Sequence, residues 1–178
     1  MVVSSLAVQP PASPPRLYAI DFPPYILYTD AEGSGGFGAV LASSSSSVWI
    51  GGTIPDNVSG ALHKRKTQIF PFEVVAIWAA LLVFGSSLRG HYVLAFVDNQ
   101  SALAVSAKGT STAIDVQAIV TAMWDLISDL GIQVVFRYAP SKLNLSDPPS
   151  RGKDPIVCSR HPVRLRWERS HFGSRLKP

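Results

Sequence analysis

Four carboxylates stand in the order Asp, Glu, Asp, Asp, each in its own local setting: Asp30 in ILYTDAEGSGGFGAVL, Glu73 in FPFEVVAIWAAL, Asp98 in YVLAFVDNQSAL and Asp147 in YAPSKLNLSDPPSRG. Three of the four fall where an apolar strand or helix should bury hydrocarbon. An ionised carboxylate there is costly unless a cation neutralises it. The pattern therefore points to bound metal, and oxygen-only ligation favours Mg²⁺ or Mn²⁺ over zinc. Two such ions can activate a water and stabilise the leaving oxygen of a phosphodiester, with no nucleophilic side chain required. His63, His91, His161 and His171 are scattered and have no metal-ligand spacing. A single cysteine, Cys158, excludes an intrachain disulfide and a cysteine-based zinc site, and fits an intracellular, reducing compartment, cytoplasmic or nuclear.

Elements must bring these acids together. Tyr25 to Ala31 reads as a strand, with a Gly33 to Gly38 turn into a second strand to Ala42, and Val48-Trp49-Ile50 resumes a third after the serine run. The glycines do not have the spacing of a phosphate cradle, so a strand-to-strand turn is expected. Pro71 suits the first turn of a helix that reaches about Phe84 and is closed by Gly85, apolar almost all round and hence buried. His91 to Val97 is the fourth strand, and Ser101 to Ala107 a short helix ending at Gly109. Ile114 to Leu130 has helical apolar periodicity that stops at Gly131, and Ile132 to Tyr138 is the fifth strand. This order suits an α/β fold with antiparallel hairpins continuing into crossover units. Asp30 and Asp98 then lie at strand C-terminal ends, where open α/β sheets place their sites. Each acid also has a structural reading: Asp98 or Asp147 as a helix N-cap, Glu73 as a helix-dipole partner.

Around this core, residues 1–24 are rich in Pro and Ser and read as a leader or linker, and 152–178 as a basic tail. Residues 1–150 hold 8 Lys/Arg against 10 Asp/Glu, net −2, while 151–178 hold 8 against 2, net +6. An acidic body with a basic extension fits a metal site beside a polyanion; a solvated tail is the alternative. The longest apolar run, Val74 to Phe84, is too short to span a bilayer, so no membrane partner is expected.

Over residues 25–151 the four contexts resemble the type 1 ribonuclease H domain, in particular the kind attached to retroelement reverse transcriptases. YTDAEGSGGFGAVL is similar to that family's opening hairpin, FEVVAIWAAL to its Glu-bearing helix, FVDNQSAL to its second Asp, and APSKLNLSDPPSRG to its closing segment, where an Asn precedes the last Asp and a Ser-Arg pair follows. The resemblance implies a five-stranded mixed sheet flanked by helices, two Mg²⁺ ions with Mn²⁺ as a substitute, and cleavage of the RNA strand of an RNA/DNA hybrid. It makes Asp30 the ligand shared by both metals, gives Asp147 to the water-activating metal, and gives Glu73 with Asp98 to the leaving-group metal. Gln100 would meet the minor groove of the hybrid, whose 2′-hydroxyls distinguish RNA. Asn144 would orient the loop or meet substrate. Lys142 occupies the loop where cellular members carry a histidine. Lys108 is the only basic residue between Ser101 and Ile114, so the basic helix with which some cellular members grip the hybrid is not evident. A reverse transcriptase domain of a longer polyprotein is the implied partner. Integrase-like enzymes place the Glu last and fit the order less well; a noncatalytic domain that binds nucleic acid or packs against a polymerase is the rival from another class.

Overall fold

The computed structural model describes residues 25–155 and 159–160. The expected leader, residues 1–24, and residues 156–158 and 161–178 of the expected tail lie outside them. The chain forms strands β1 (Tyr25–Ala31), β2 (Gly36–Ala42) and β3 (Ser47–Thr53), the short helix α1 (Asp56–Ser59), the long helix α2 (Ile69–Leu88), and strand β4 (Tyr92–Val97). Helices α3 (Gln100–Lys108) and α4 (Ile114–Leu130), strand β5 (Gln133–Tyr138), a 3-10 turn at Ser141–Leu143, helix α5 (Asp147–Ser150) and a two-residue β6 (Ser159–Arg160) complete it. The expected five strands form one mixed sheet in the order β5-β4-β1-β2-β3, and β6 adds a short sixth at the β3 edge. β1, β2 and β3 are antiparallel neighbours, whereas β4 lies parallel to β1, β5 parallel to β4 and β6 parallel to β3.

Strand period places alternate side chains on opposite faces. On β1 and β4 that puts Leu27, Thr29, Val93, Ala95 and Val97 under the helices, all at most 1% exposed. α2 lies across them, with Val74, Val75, Ala76, Ile77, Ala79, Ala80 and Phe84 fully buried. α4 shows it Val116, Ile119, Val120, Met123 and Ile127, the three- and four-residue spacing of one helix face. Truncating one of these large core side chains to Ala would cost about 2–5 kcal/mol.

Gly85 does not close α2, which runs on to Leu88. A Cβ at that position would lie 2.8 Å from Leu130 Cδ1 of α4, so a larger residue there would displace the end of the Leu130 side chain. The extra turn makes α2 long and apolar enough to cross a bilayer by length and composition, contrary to the expectation from its apolar run. Most of it is buried inside the fold, as a core helix is. Before α2, the loop is tied to α4 by Asp115. Its carboxylate, 4% exposed, accepts the His63 N–H at 2.9 Å and the Arg65 guanidinium at 2.6 Å. Burial would raise the Asp115 pKa, but these partners outweigh it and hold it at about 2.

Candidate active site

β1 and β4 set the first two acids side by side. Their parallel register ends at the pair Thr29 and Val97, so the next residue on each strand is Asp30 and Asp98. α2 begins at the same end of the sheet and supplies Glu73 from its second turn. One carboxylate oxygen from each of Asp30, Glu73 and Asp98 lies within 4.8 Å of the other two. Asp30 is 6% exposed and Glu73 only 2%.

Such crowding without a cation disfavours ionisation. Burial foremost, then the charges of Asp98 and Asp30, push Glu73 up to about 9, although the Ala31 backbone N–H works the other way. Burial also pushes Asp30 up to about 6, opposed by a hydrogen bond from Ser150 and reinforced by Asp98 and Asp147. Glu73 Oε2 is buried and has no hydrogen-bond partner. A carboxylate oxygen in that position has the donor chemistry of a hard-cation ligand, and three of the four expected ligands therefore fit such an ion.

The fourth, Asp147, stands apart from the three. It is the first residue of α5, and its Oδ1 accepts from Arg151 Nη2 at 2.9 Å and Nε at 3.1 Å. α5 lies flat on β2 and β3 because glycine leaves it room. A Cβ on Gly38 would sit 2.5 Å from the Ser150 nitrogen, and one on Gly51 2.7 Å from the Pro149 oxygen. These glycines thus do more than turn the chain. The close seat lets the Ser150 hydroxyl donate to Asp30 Oδ2, from a side chain 2% exposed.

Asn144 locks the preceding loop. Its Nδ2 donates to the Thr29 carbonyl at 2.9 Å, and its Oδ1 accepts from the Ser146 hydroxyl at 2.6 Å and the Ser146 N–H at 3.2 Å. It is 4% exposed with its amide engaged, so it positions the loop from within. Gln100, the first residue of α3, and Lys142, in the 3-10 turn, are both exposed and accessible to a ligand.

The structural alternatives also resolve at the residue level. The cap of α3 is Asn99, whose Oδ1 accepts from the N–H groups of Ser101 and Ala102, both at 3.0 Å, so Asp98 is not needed as a cap. Asp147 makes no side-chain cap bond; the cap position belongs to Ser146. Sequence reasoning did not single out Ser150 as a partner of Asp30, nor Arg151 as one of Asp147. The Ser-Arg pair shortly after the last Asp was the available signal.

No protein-family model matches the sequence, and no curated protein matches it. By structure the chain is similar to RNase H1 from the halophilic archaeon Halobacterium salinarum, with a TM-score of 0.54 at 18% identity over 73% of this chain and 99% of that one. It is also similar to the N-terminal RNase H domain of Rv2228c from Mycobacterium tuberculosis, solved as a fusion with maltose-binding protein, with a TM-score of 0.51 at 14% identity over 72% of this chain and 91% of that one. At these identities the likeness is one of architecture, and the strand order with its helices gives this chain a ribonuclease H-like fold.

Proposed function

We propose that this chain is a divalent-cation-dependent endonuclease that hydrolyses the RNA strand of RNA/DNA hybrids, a ribonuclease H domain of retroelement origin that works beside a reverse transcriptase. The observation that carries the reading is the close triad of buried Asp30, buried Glu73 and half-buried Asp98, with Glu73 Oε2 left without a partner. Structural carboxylates are paired with cations or hydrogen-bond donors when buried; beyond the Ala31 N–H, Glu73 has two other acids beside it. Asp30 would be shared by two cations, Glu73 and Asp98 would hold the one at the leaving oxygen, and Asp147 the one that carries the water. Bound there, Mg²⁺ or Mn²⁺ would supply a hydroxide at neutral pH and charge for the leaving oxygen. The chain's own contribution is placement. Ser150 fixes Asp30 from α5, Asn144 fixes the loop beneath Asp147, and Gln100 stands two residues past Asp98, where an amide can meet a 2′-hydroxyl.

A cleavage assay tests this directly. A labelled hybrid, beside matched RNA and DNA duplexes, should be cut in the RNA strand alone with Mg²⁺ or Mn²⁺, leaving a 3′-hydroxyl, and Asp30→Asn should abolish cutting. Undiminished cleavage in EDTA would sink the metal mechanism. Hybrid binding without cleavage under any of these conditions would favour a noncatalytic binding domain.

A further inference from the structure

Arg151 grips the one acid that the triad lacks. Its guanidinium holds Asp147 Oδ1 by two hydrogen bonds, and both side chains are partly open to solvent, 56% for Arg151 and 38% for Asp147. Ser150, the residue before it, hydrogen-bonds Asp30, so the C-terminal end of α5 presents a donor and, next to it, a cation beside the acidic site. The charge of Arg151 acts on Asp30 and Glu32 as well as on Asp147.

Arg151 also lines a cavity of about 460 Å³, whose wall includes Glu32, Ser34, Trp49, Gly51 and Asp154. Two of those residues are carboxylates. The cavity is therefore large enough to receive a guanidinium and has acceptors in its wall. Besides Asp147, which it holds, Arg151 shares this cavity wall with two further carboxylates, Glu32 and Asp154, and the charge of Glu32 acts on it.

We infer that Arg151 is a two-position counterion that holds Asp147 off the cation site and releases it by swinging into the Glu32/Asp154 cavity when a cation takes its place. The inference rests on the reading of the acidic cluster as a cation site. In the first position three carboxylates face one another and Asp147 is neutralised by the arginine. In the second, Asp147 is free to become the fourth ligand while the arginine stays paired. An exposed ion pair of this kind is weak, so a divalent cation can displace it; the competition sets how readily the site fills. The fourth ligand is thereby engaged only when a cation is present, a bistable arrangement biased by charge.

The test is a calorimetric titration of the full chain with Mn²⁺ alone, without nucleic acid, for wild type, Arg151→Gln and Arg151→Lys, with Asp98→Asn as control. Removing the grip should tighten apparent Mn²⁺ binding by about two- to five-fold, the size expected for an exposed pair. Arg151→Lys keeps the charge but gives up the two-bond hold, and it should also bind more tightly than wild type. In the wild type the Arg151 Nε–H resonance should shift as Mg²⁺ is added, and it should stay in place in Asp98→Asn. Tightening in Arg151→Gln alone would reduce the effect to net charge and overturn the inference. So would an Arg151→Gln titration superimposable on a wild-type curve that Asp98→Asn abolishes. A wild type that binds no Mn²⁺ would overturn the cation reading itself, and the inference with it.

Discussion

Asp98 and Glu73 separate a metal site from a scaffold by the sign of their effects on stability. Asn99 supplies the cap of α3, so Asp98→Ala removes repulsion without removing a cap bond. In EDTA the variant should melt at the wild-type temperature or above it. Millimolar Mg²⁺ should raise the wild-type Tm much more than the variant's, because a ligand bound only by the folded state stabilises it by mass action. A lower Tm in EDTA with equal Mg²⁺ responses would make Asp98 structural.

The pH dependence follows from the two raised acids. Glu73 near 9 and Asp30 near 6 bind protons in the folded state that the unfolded chain, with ordinary values of 4.5 and 3.8, has already lost. Their contribution to stability is fully present below about pH 4 and is lost as pH rises through 6 and then 9. Asp115, at about 2, acts oppositely, but only below the ordinary carboxylate range. Metal-free protein should therefore melt higher at pH 5 than at pH 8, and Glu73→Gln should flatten that difference; a higher wild-type Tm at pH 8 in EDTA would contradict the crowding described for the triad.

At the scale of elements, α5 is the smallest helix of the site and the one most dependent on its seat. Gly38→Ala puts a methyl group 2.5 Å from the Ser150 nitrogen, against backbone that has no rotamer to escape by. We expect a stability loss of about 1–3 kcal/mol from overpacking. Hybrid cleavage should fall roughly a hundredfold, since lifting α5 by about an ångström displaces Asp147 and Ser150 together. Gly33→Ala, with nothing within 4 Å of its added Cβ, is the control and should keep activity. What was legible in the sequence divides along the same line. β1 and α4 match their expected bounds to the residue, because strand composition and helical periodicity are local and Gly131 adopts the left-handed conformation that ends α4. Glycines packed closely against distant residues are not legible in this way: Gly85 reads as a stop and Gly36 as part of a turn. What a side chain there would meet is Leu130 and Ser150, far away in sequence. The four acids were legible as candidates, whereas the Asp147–Arg151 pair depends on side-chain direction, which four residues of separation permit but do not dictate.

For the whole molecule, the distribution of charge along the sequence is the property that bears on binding a polyanion. Residues 161–178 hold five Lys/Arg against one Glu. Deleting them should weaken hybrid binding and reduce the slope of log affinity against log salt by about 0.7–0.9 for each phosphate that is no longer neutralised. An unchanged slope would show that this segment takes no part in binding. The sequence separations within the site have a different consequence, one of timing. Asn144 reaches back 115 residues to Thr29, and Ser150 reaches back 120 to Asp30. A chain growing from its N-terminus at about 5–20 residues per second needs roughly 6 to 24 s to pass from Asp30 to Ser150. Until then the first acid exists without the serine that orients it or the helix that brings Asp147. A nascent chain therefore lacks the complete set of site residues until α5 has been made.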